Sequence, residues 1–312
     1  MKVFVTGATG YVGRAVAAAL VARGDEVRGL TRGGAGAAAS VHGGGAGLPK
    51  GVQRVEGDCM LRGPWSTAVS GCDAVVHLAG ETIGGRRWSR AQKALIRESR
   101  VAGTRNVVAA IETSPADLRP RVLACASGVD YYPFDESERA YAEDAAPGDT
   151  FLAGVCTAWE AEAAAARRLG TRVVSVRSGV VLGRDAEALE KMAQPFRLFA
   201  GGPIGSGRQW FSWVHLADVV GAYLHALDTA ALAGAVNAVS PGAVRARDLA
   251  RALGRALRRP SWAPVPGLAL RAVAGGIATY LLSGRRAVPG ALEQSGYRFR
   301  APEIGAALAA SL

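Results

Sequence analysis

The chain has 312 residues, long enough for a large α/β domain with a smaller companion, and its 49% hydrophobic and 20% charged content is that of a globular enzyme rather than a disordered or fibrous chain. Its formal charge is +11, and only Lys2, Lys50, Lys93 and Lys191 among the 37 basic residues are lysine, so arginine dominates. These residues are scattered without a continuous basic run, which argues against a nucleic-acid partner, while an arginine-rich surface suits phosphorylated ligands.

The first 180 residues alternate between strand and helix patterns. Val3–Thr6 reads as a β-branched strand, Val12–Arg23 as an alanine-rich helix and Glu26–Thr31 as a second strand. Residues 33–51, GGAGAAASVHGGGAGLPKG, read as a mobile Gly/Ala loop without chemistry. Strands follow at Val52–Glu56 and Ala74–Leu78. A helix starts near Ser89, where S-R-A-Q offers a capping box, and runs to about Glu112. Strand Arg121–Ala126, helix Phe151–Leu169 and strand Arg172–Arg177 complete the series. Such alternation predicts a Rossmann-type, doubly wound parallel sheet over residues 1–177. Beyond it, Gly/Pro-rich turns and shorter helices predict a smaller substrate-binding domain over 178–312, with a helix at 217–228 returning to the first.

Between the first strand and first helix lies TGATGYVG, from Thr6 to Gly13. Gly7 permits the tight turn, Gly10 lets the backbone approach a pyrophosphate, and Gly13 lets helix pack on strand. The flanking Tyr11, Val12 and Arg14 place free helix N-terminal N–H groups and one cation at the same anion. An acidic residue at the end of the second strand would hold a ribose 2′-hydroxyl, but the chain has Thr31 and Arg32 there. Arg32 can pair with a 2′-phosphate, so the expected cofactor is NADP(H). Asp58, after the third strand, is placed either for adenine or as a turn cap. Leu78, Ala79 and Gly80, in the HLAG after the fourth strand, complete the cofactor-binding set.

Cys59, Cys72, Cys125 and Cys156 lie far apart, without a C-x-x-C pair, and the histidines lack ligand spacing, so no disulfide framework and no metal site is expected. The opening residues read as strand and turn rather than signal peptide, and the apolar segment 265–283 is broken by Arg271. The expectation is a cytoplasmic monomer or homodimer without a membrane span.

The glycine spacing and HLAG resemble the short-chain dehydrogenase/reductase superfamily in its extended, epimerase-like branch. A narrower resemblance comes from several segments: SRVAGTRN (Ser99–Asn106), the pair Trp159 and Glu160, GGPIGSGRQWFSWVHLAD (Gly201–Asp218), LGRALRRP (Leu253–Pro260), PVP (Pro264–Pro266) and SGYRFR (Ser295–Arg300). They are similar to a family of NAD(P)-dependent epimerases or oxidoreductases that ends in a C-terminal domain of unknown role.

The resemblance implies a serine or threonine with a Tyr-x-x-x-Lys pair, in which lysine lowers the pKa of tyrosine one helical turn away. Ser127, in ACASGVDYYPFDE, matches the serine, with a loop-capping role as its alternative. The tyrosine–lysine pair belongs on the helix at 151–169, where neither residue occurs, and no Tyr-x-x-x-Lys exists anywhere in the chain. Arg100 also stands where the branch usually has asparagine. The candidates for the missing proton relay are Tyr131, Tyr132 and Glu160, with Cys156 on the same helix as Glu160.

GSGRQW (Gly205–Trp210) resembles a substrate-facing loop in which arginine meets phosphate. Arg208 and Gln209 are therefore expected to touch substrate, and Trp210 and Trp213 either stack on a ring or pack between domains. Asp218 reads as the cap of the following helix. Arg177 and Ser178, at the carboxyl end of a strand, face the crevice where such sheets bind ligands, and Glu81 and Arg100 border it. The expected function is an NADP(H)-dependent oxidoreductase or epimerase-like enzyme acting on a small polar, anionic or nucleotide-linked substrate. A non-catalytic NADP(H)-binding regulatory or scaffold protein is the alternative.

Overall fold

In the computed structural model, residues 1–33, 47–84 and 86–312 are described; residues 34–46 of the expected loop lie outside them. In chain order the strands and helices are β1 (Lys2–Thr6), α1 (Tyr11–Ala22), β2 (Glu26–Thr31), β3 (Gln53–Glu56), β4 (Ala74–His77), α2 (Arg90–Thr113), β5 (Val122–Gly128), β6 (Ala140–Tyr141), α3 (Phe151–Ala164), β7 (Arg172–Ser178), β8 (Val180–Leu182) and α4 (Glu187–Arg197). There follow β9 (Trp210–Phe211), β10 (Trp213–His215), α5 (Leu216–Asp228), β11 (Gly234–Ala238), β12 (Val244–Arg245), α6 (Ala246–Leu257), α7 (Gly267–Ala274), α8 (Ala278–Leu282), β13 (Arg286–Ala287), α9 (Gly290–Gln294) and α10 (Ile304–Ser311).

Seven parallel strands form one sheet in the order β11-β7-β5-β4-β1-β2-β3. The order reverses between β1 and β4, the switch point at which doubly wound sheets bind ligands beyond their carboxyl ends. Side-chain alternation assigns the two faces. Val3, Val5, Val174 and Val176 pack with α1 and α5, whereas Phe4, Leu123 and Val173 pack with α2, α3 and Trp65. Two elements beyond residue 178 belong to this sandwich: α5 lies against α1, and β11 pairs with β7 from Gly234↔Val174 to Ala238↔Ser178. A separate apolar cluster joins β8, β10, α4, α6 and α10 through Leu182, Trp213, Leu189, Leu253 and Leu308.

Several elements differ from the sequence expectation for local reasons. The helix at 151 ends at Ala164 and tightens into a 3₁₀ turn over Ala165–Leu169, closed by Gly170 at φ +82°. Ser89 caps α2 by accepting from the Gln92 N–H, but the Gln92 side chain turns away to Glu81, so only half of the capping box forms. Asp218 does not cap α5, because the His215 side chain accepts from the Ala217 N–H. The buried Asp218 carboxylate accepts instead from the backbone N–H groups of Arg300 and Ala301 and from the Tyr297 hydroxyl, pinning the C-terminal tail.

Candidate functional site

The glycine turn is built for close approach. Gly7 adopts φ +67°, and a Cβ there would lie 2.7 Å from the Leu78 carbonyl carbon; one on Gly13 would lie 2.0 Å from the Gly7 oxygen. Gly10 is the N-cap of α1 and supplies no side chain, and the first turn of α1 carries no acidic residue, so its N–H groups and positive helix end remain for an anion. Arg14 and Arg32 are exposed, and the charge of Arg32 reaches Cys59, next to Asp58. Asp58 accepts from the Met60 N–H, the turn-capping alternative. These residues fit a dinucleotide carrying an additional phosphate. The Tyr11 hydroxyl donates to the Arg184 carbonyl and bolts α1 to the loop after β8.

A buried chain of hydrogen bonds fixes the loops around this turn. Thr104 donates to the Arg100 carbonyl at 2.6 Å, so its oxygen must accept from His77 Nε2–H at 3.0 Å. His77 Nδ1 is then the acceptor for the Thr6 hydroxyl at 2.6 Å, and the Thr6 oxygen accepts from the backbone N–H of Leu78 and Ala79. The two threonines thus dictate the neutral Nε2–H tautomer. Burial lowers the pKa of His77 to about 4. Leu78 and Ala79 are thereby held against β1, and Gly80 packs on the Arg100 guanidinium.

The catalytic candidates separate into those brought together and those excluded. Ser127 lies inside β5, opposite Arg177 on β7, and is 7% exposed. Its hydroxyl donates to Glu160 Oε1 at 2.6 Å. Arg177 clamps the same carboxylate with Nε and Nη2, both at 2.8 Å. Burial alone disfavours the Arg177 cation, but the Glu160 carboxylate more than offsets this and raises its pKa. Tyr131 lies over Arg177, its ring centroid 3.4 Å from the guanidinium carbon.

Tyr132 is not available for chemistry. It is fully buried, donates to Asn237 Oδ1 at 2.7 Å and accepts from Arg177 Nη1 at 2.9 Å, and burial raises its pKa to about 12. Arg177 itself is corrected from a substrate contact to the centre of this network, since Glu160, Tyr132 and the Glu143 carbonyl occupy its nitrogens. Cys156, one turn before Glu160 on α3, is a neutral thiol whose pKa burial, with the charges of Asp130 and Glu160, raises to about 12.

The substrate candidates fare unevenly. Arg100 donates to the carbonyls of Glu81 and Ile96 and lies 5.2 Å from the Trp159 ring, so it borders the site as a wall. Glu81 accepts from Gln92 and is held by Ser99 through its backbone N–H. Ser178 pairs with Ala238 and Gly128 at the carboxyl ends of β7, β11 and β5. The GSGRQW residues do not join the site. Arg208 points outward, its side chain 71% exposed and 3.8 Å from Glu136. Gln209 is buried and donates to the carbonyls of Ile204 and Leu281. Trp210 lies between Arg245 and Arg286 and donates to the Ser137 carbonyl, while the fully buried Trp213 donates to Gly242.

Sequence reasoning missed Asn237, Asp130 and Arg285. Asn237 on β11 donates to the Tyr141 and Val288 carbonyls while accepting from Tyr132, thereby tying the Arg177 network to the returning strand. Nothing in the linear order signals that β11 sits beside β7.

Residues 3–238 match the NAD dependent epimerase/dehydratase family, and residues 265–311 match a domain of unknown function, DUF1731. The chain is 40% identical over 310 residues to the epimerase family protein SDR39U1 homolog, chloroplastic, of Arabidopsis thaliana, covering 99% of this chain and 86% of that protein. Among solved structures, the human epimerase family protein SDR39U1 (isoform2) with NADPH superposes with a TM-score of 0.84 at 36% identity, over 99% of this chain and 98% of that one. A nucleoside-diphosphate sugar epimerase from Corynebacterium glutamicum superposes with a TM-score of 0.78 at 32% identity, over 100% of this chain and 58% of that one.

Proposed function

Because the chain belongs to the NAD dependent epimerase/dehydratase family, we propose that it is an NADP(H)-dependent oxidoreductase in which Ser127 and Glu160 replace the tyrosine–lysine relay. The human relative crystallised with NADPH, the exposed Arg14 and Arg32 and the uncapped N-terminus of α1 support the choice of cofactor. The nicotinamide supplies the hydride acceptor or donor; the protein supplies position and proton transfer.

The carrying observation is the 2.6 Å bond from Ser127 to a carboxylate already clamped by Arg177. In the oxidative direction, a substrate hydroxyl binds to Ser127 Oγ. As its proton passes to Oγ, the serine proton passes to Glu160 Oε1, and the substrate carbon loses its hydride to the cofactor. Arg177 fixes the carboxylate throughout, with Tyr131 stacked over its guanidinium. In reduction the same proton returns from Glu160 through Ser127 to the carbonyl oxygen. Cys156 contributes shape only, because a thiol of pKa about 12 does not ionise near neutrality.

A panel of alcohols, carbonyl compounds and sugar nucleotides, followed by NADPH absorbance, tests the reading. Turnover of at least one class with NADP(H) is expected. NADPH binding without turnover of any of them would instead support a regulatory NADP(H)-binding protein, which the lack of tyrosine and lysine on α3 favours.

A further inference from the structure

One buried cation has no part in this relay. Arg285 is 6% exposed, and its Nη1 meets the Asp130 carboxylate at 2.5 Å, but its Nε and Nη2 are buried without an acceptor among the described residues. Those two nitrogens form the side-on edge of the guanidinium, whose parallel N–H groups match two oxygens of one anionic group. The same edge of Arg177 carries the Glu160 carboxylate. Charged donors buried without acceptors are costly, so an anion on this edge would be held strongly.

The guanidinium is held in place from its backbone outward. The Gly284 carbonyl accepts from the Asp135 N–H at 2.7 Å, and the Arg285 carbonyl accepts from the Ser212 hydroxyl at 2.7 Å. Only glycine fits at 284, since a Cβ would lie 1.9 Å from the Trp210 oxygen. Phe134 packs 4.8 Å from the guanidinium carbon, Tyr280 stands edge-on to Phe134, and Trp88 follows at 5.2 Å from Tyr280. Asp130 lies in the turn that leaves β5, three residues after Ser127, and its charge also bears on Arg100 and Cys156. Asp130 thus joins Arg285 to the turn that follows Ser127, whereas Arg208 is exposed beside Glu136.

We infer that the side-on edge of Arg285 anchors a carboxylate of the substrate, which makes the substrate an oxo acid or hydroxy acid with an apolar body against the Phe134–Tyr280–Trp88 rings. A single planar charge suits the edge better than a phosphate dianion, which Asp130 would repel. The inference rests on the Ser127 reading for the position of the reacting carbon, but not for capture of the acid.

Binding to the NADPH-saturated protein therefore tests it, with phenylpyruvate, its methyl ester and phenyl phosphate as probes, read at the Arg285 Nε–H resonance by NMR. Phenylpyruvate is expected to shift that resonance and to bind at least about tenfold tighter than either other probe, with a similar loss in Arg285→Gln and unchanged NADPH affinity. Arg285→Lys keeps the charge without the fork and should lose the same preference. Equal binding of the ester, tighter binding of the phosphate, no binding of the acid, or undiminished binding in Arg285→Gln would each overturn the inference. An acid captured through Arg285 but never turned over would leave the inference standing and count against the Ser127 reading.

Discussion

At the scale of single residues, the site is organised by buried charge. Glu160 and Arg177 depend on each other, because their side chains are only 15% and 4% exposed. Removing one partner of such a pair typically costs about 3–5 kcal/mol, so Arg177→Met is expected to lower the thermal midpoint by several degrees or more; an unchanged midpoint would mean that the pair is hydrated. Ser127 and Glu160 are legible in the sequence as members of the right strand and helix. That Tyr132 is a structural residue was not, since it is distinguished from Tyr131 only by the strand β11 behind it. His77 contributes differently. Its pKa falls from 6.5 to about 4 on burial, so its stabilising effect is complete above pH 6.5 and is lost progressively as pH falls toward 4. The accumulated penalty there is about 3 kcal/mol. Chemical denaturation at neutral pH and near pH 4.5 should show a smaller acid loss in His77→Gln than in the parent; identical losses would place the titration elsewhere.

At the scale of elements, β1, the glycine turn and α1 are the most legible part of the chain, because two of the glycines answer to a steric limit that no other residue meets. Gly7 and Gly13 are required by their backbone neighbours whatever ligand binds. The cofactor preference is a separate matter, for which Arg32, just after β2, is the proposed 2′-phosphate partner. Arg32→Glu is expected to narrow the preference for NADPH over NADH by at least about tenfold in dissociation constants; an unchanged ratio would remove Arg32 from the 2′-phosphate site. The GSGRQW loop shows the opposite case. Its arginine and glutamine have the right chemistry for an anionic substrate, but β9 pairs with β12 and turns Trp210 between two arginines, leaving Arg208 outside and Gln209 inside. The direction of these side chains was not legible, because a two-residue strand has no periodicity to reveal its faces.

At the scale of the whole molecule, part of the arginine content is structural. Arg100 holds the carbonyls of Glu81 and Ile96, Arg177 the Glu160 carboxylate and Arg285 the Asp130 carboxylate, while Arg172 holds three backbone carbonyls at the end of α5 and the turn that follows it. The seven-stranded sheet is completed from the second half of the chain, and Asp218 ties the tail back to α5. Alternation of strand and helix predicts the first six strands of the sheet but not the return of β11, since a short GAVNA segment gains its place only by pairing with β7. Through Asn237 and Tyr132 that strand is tied to the Arg177–Glu160 pair. The central claim is that Ser127 passes a proton to Glu160 during hydride transfer. Its most direct test is the turnover number of Ser127→Ala with a substrate found by the absorbance panel. This variant leaves the Glu160–Arg177 pair intact. A fall of about a hundredfold or more with unchanged NADPH affinity is predicted, and full turnover would contradict the account.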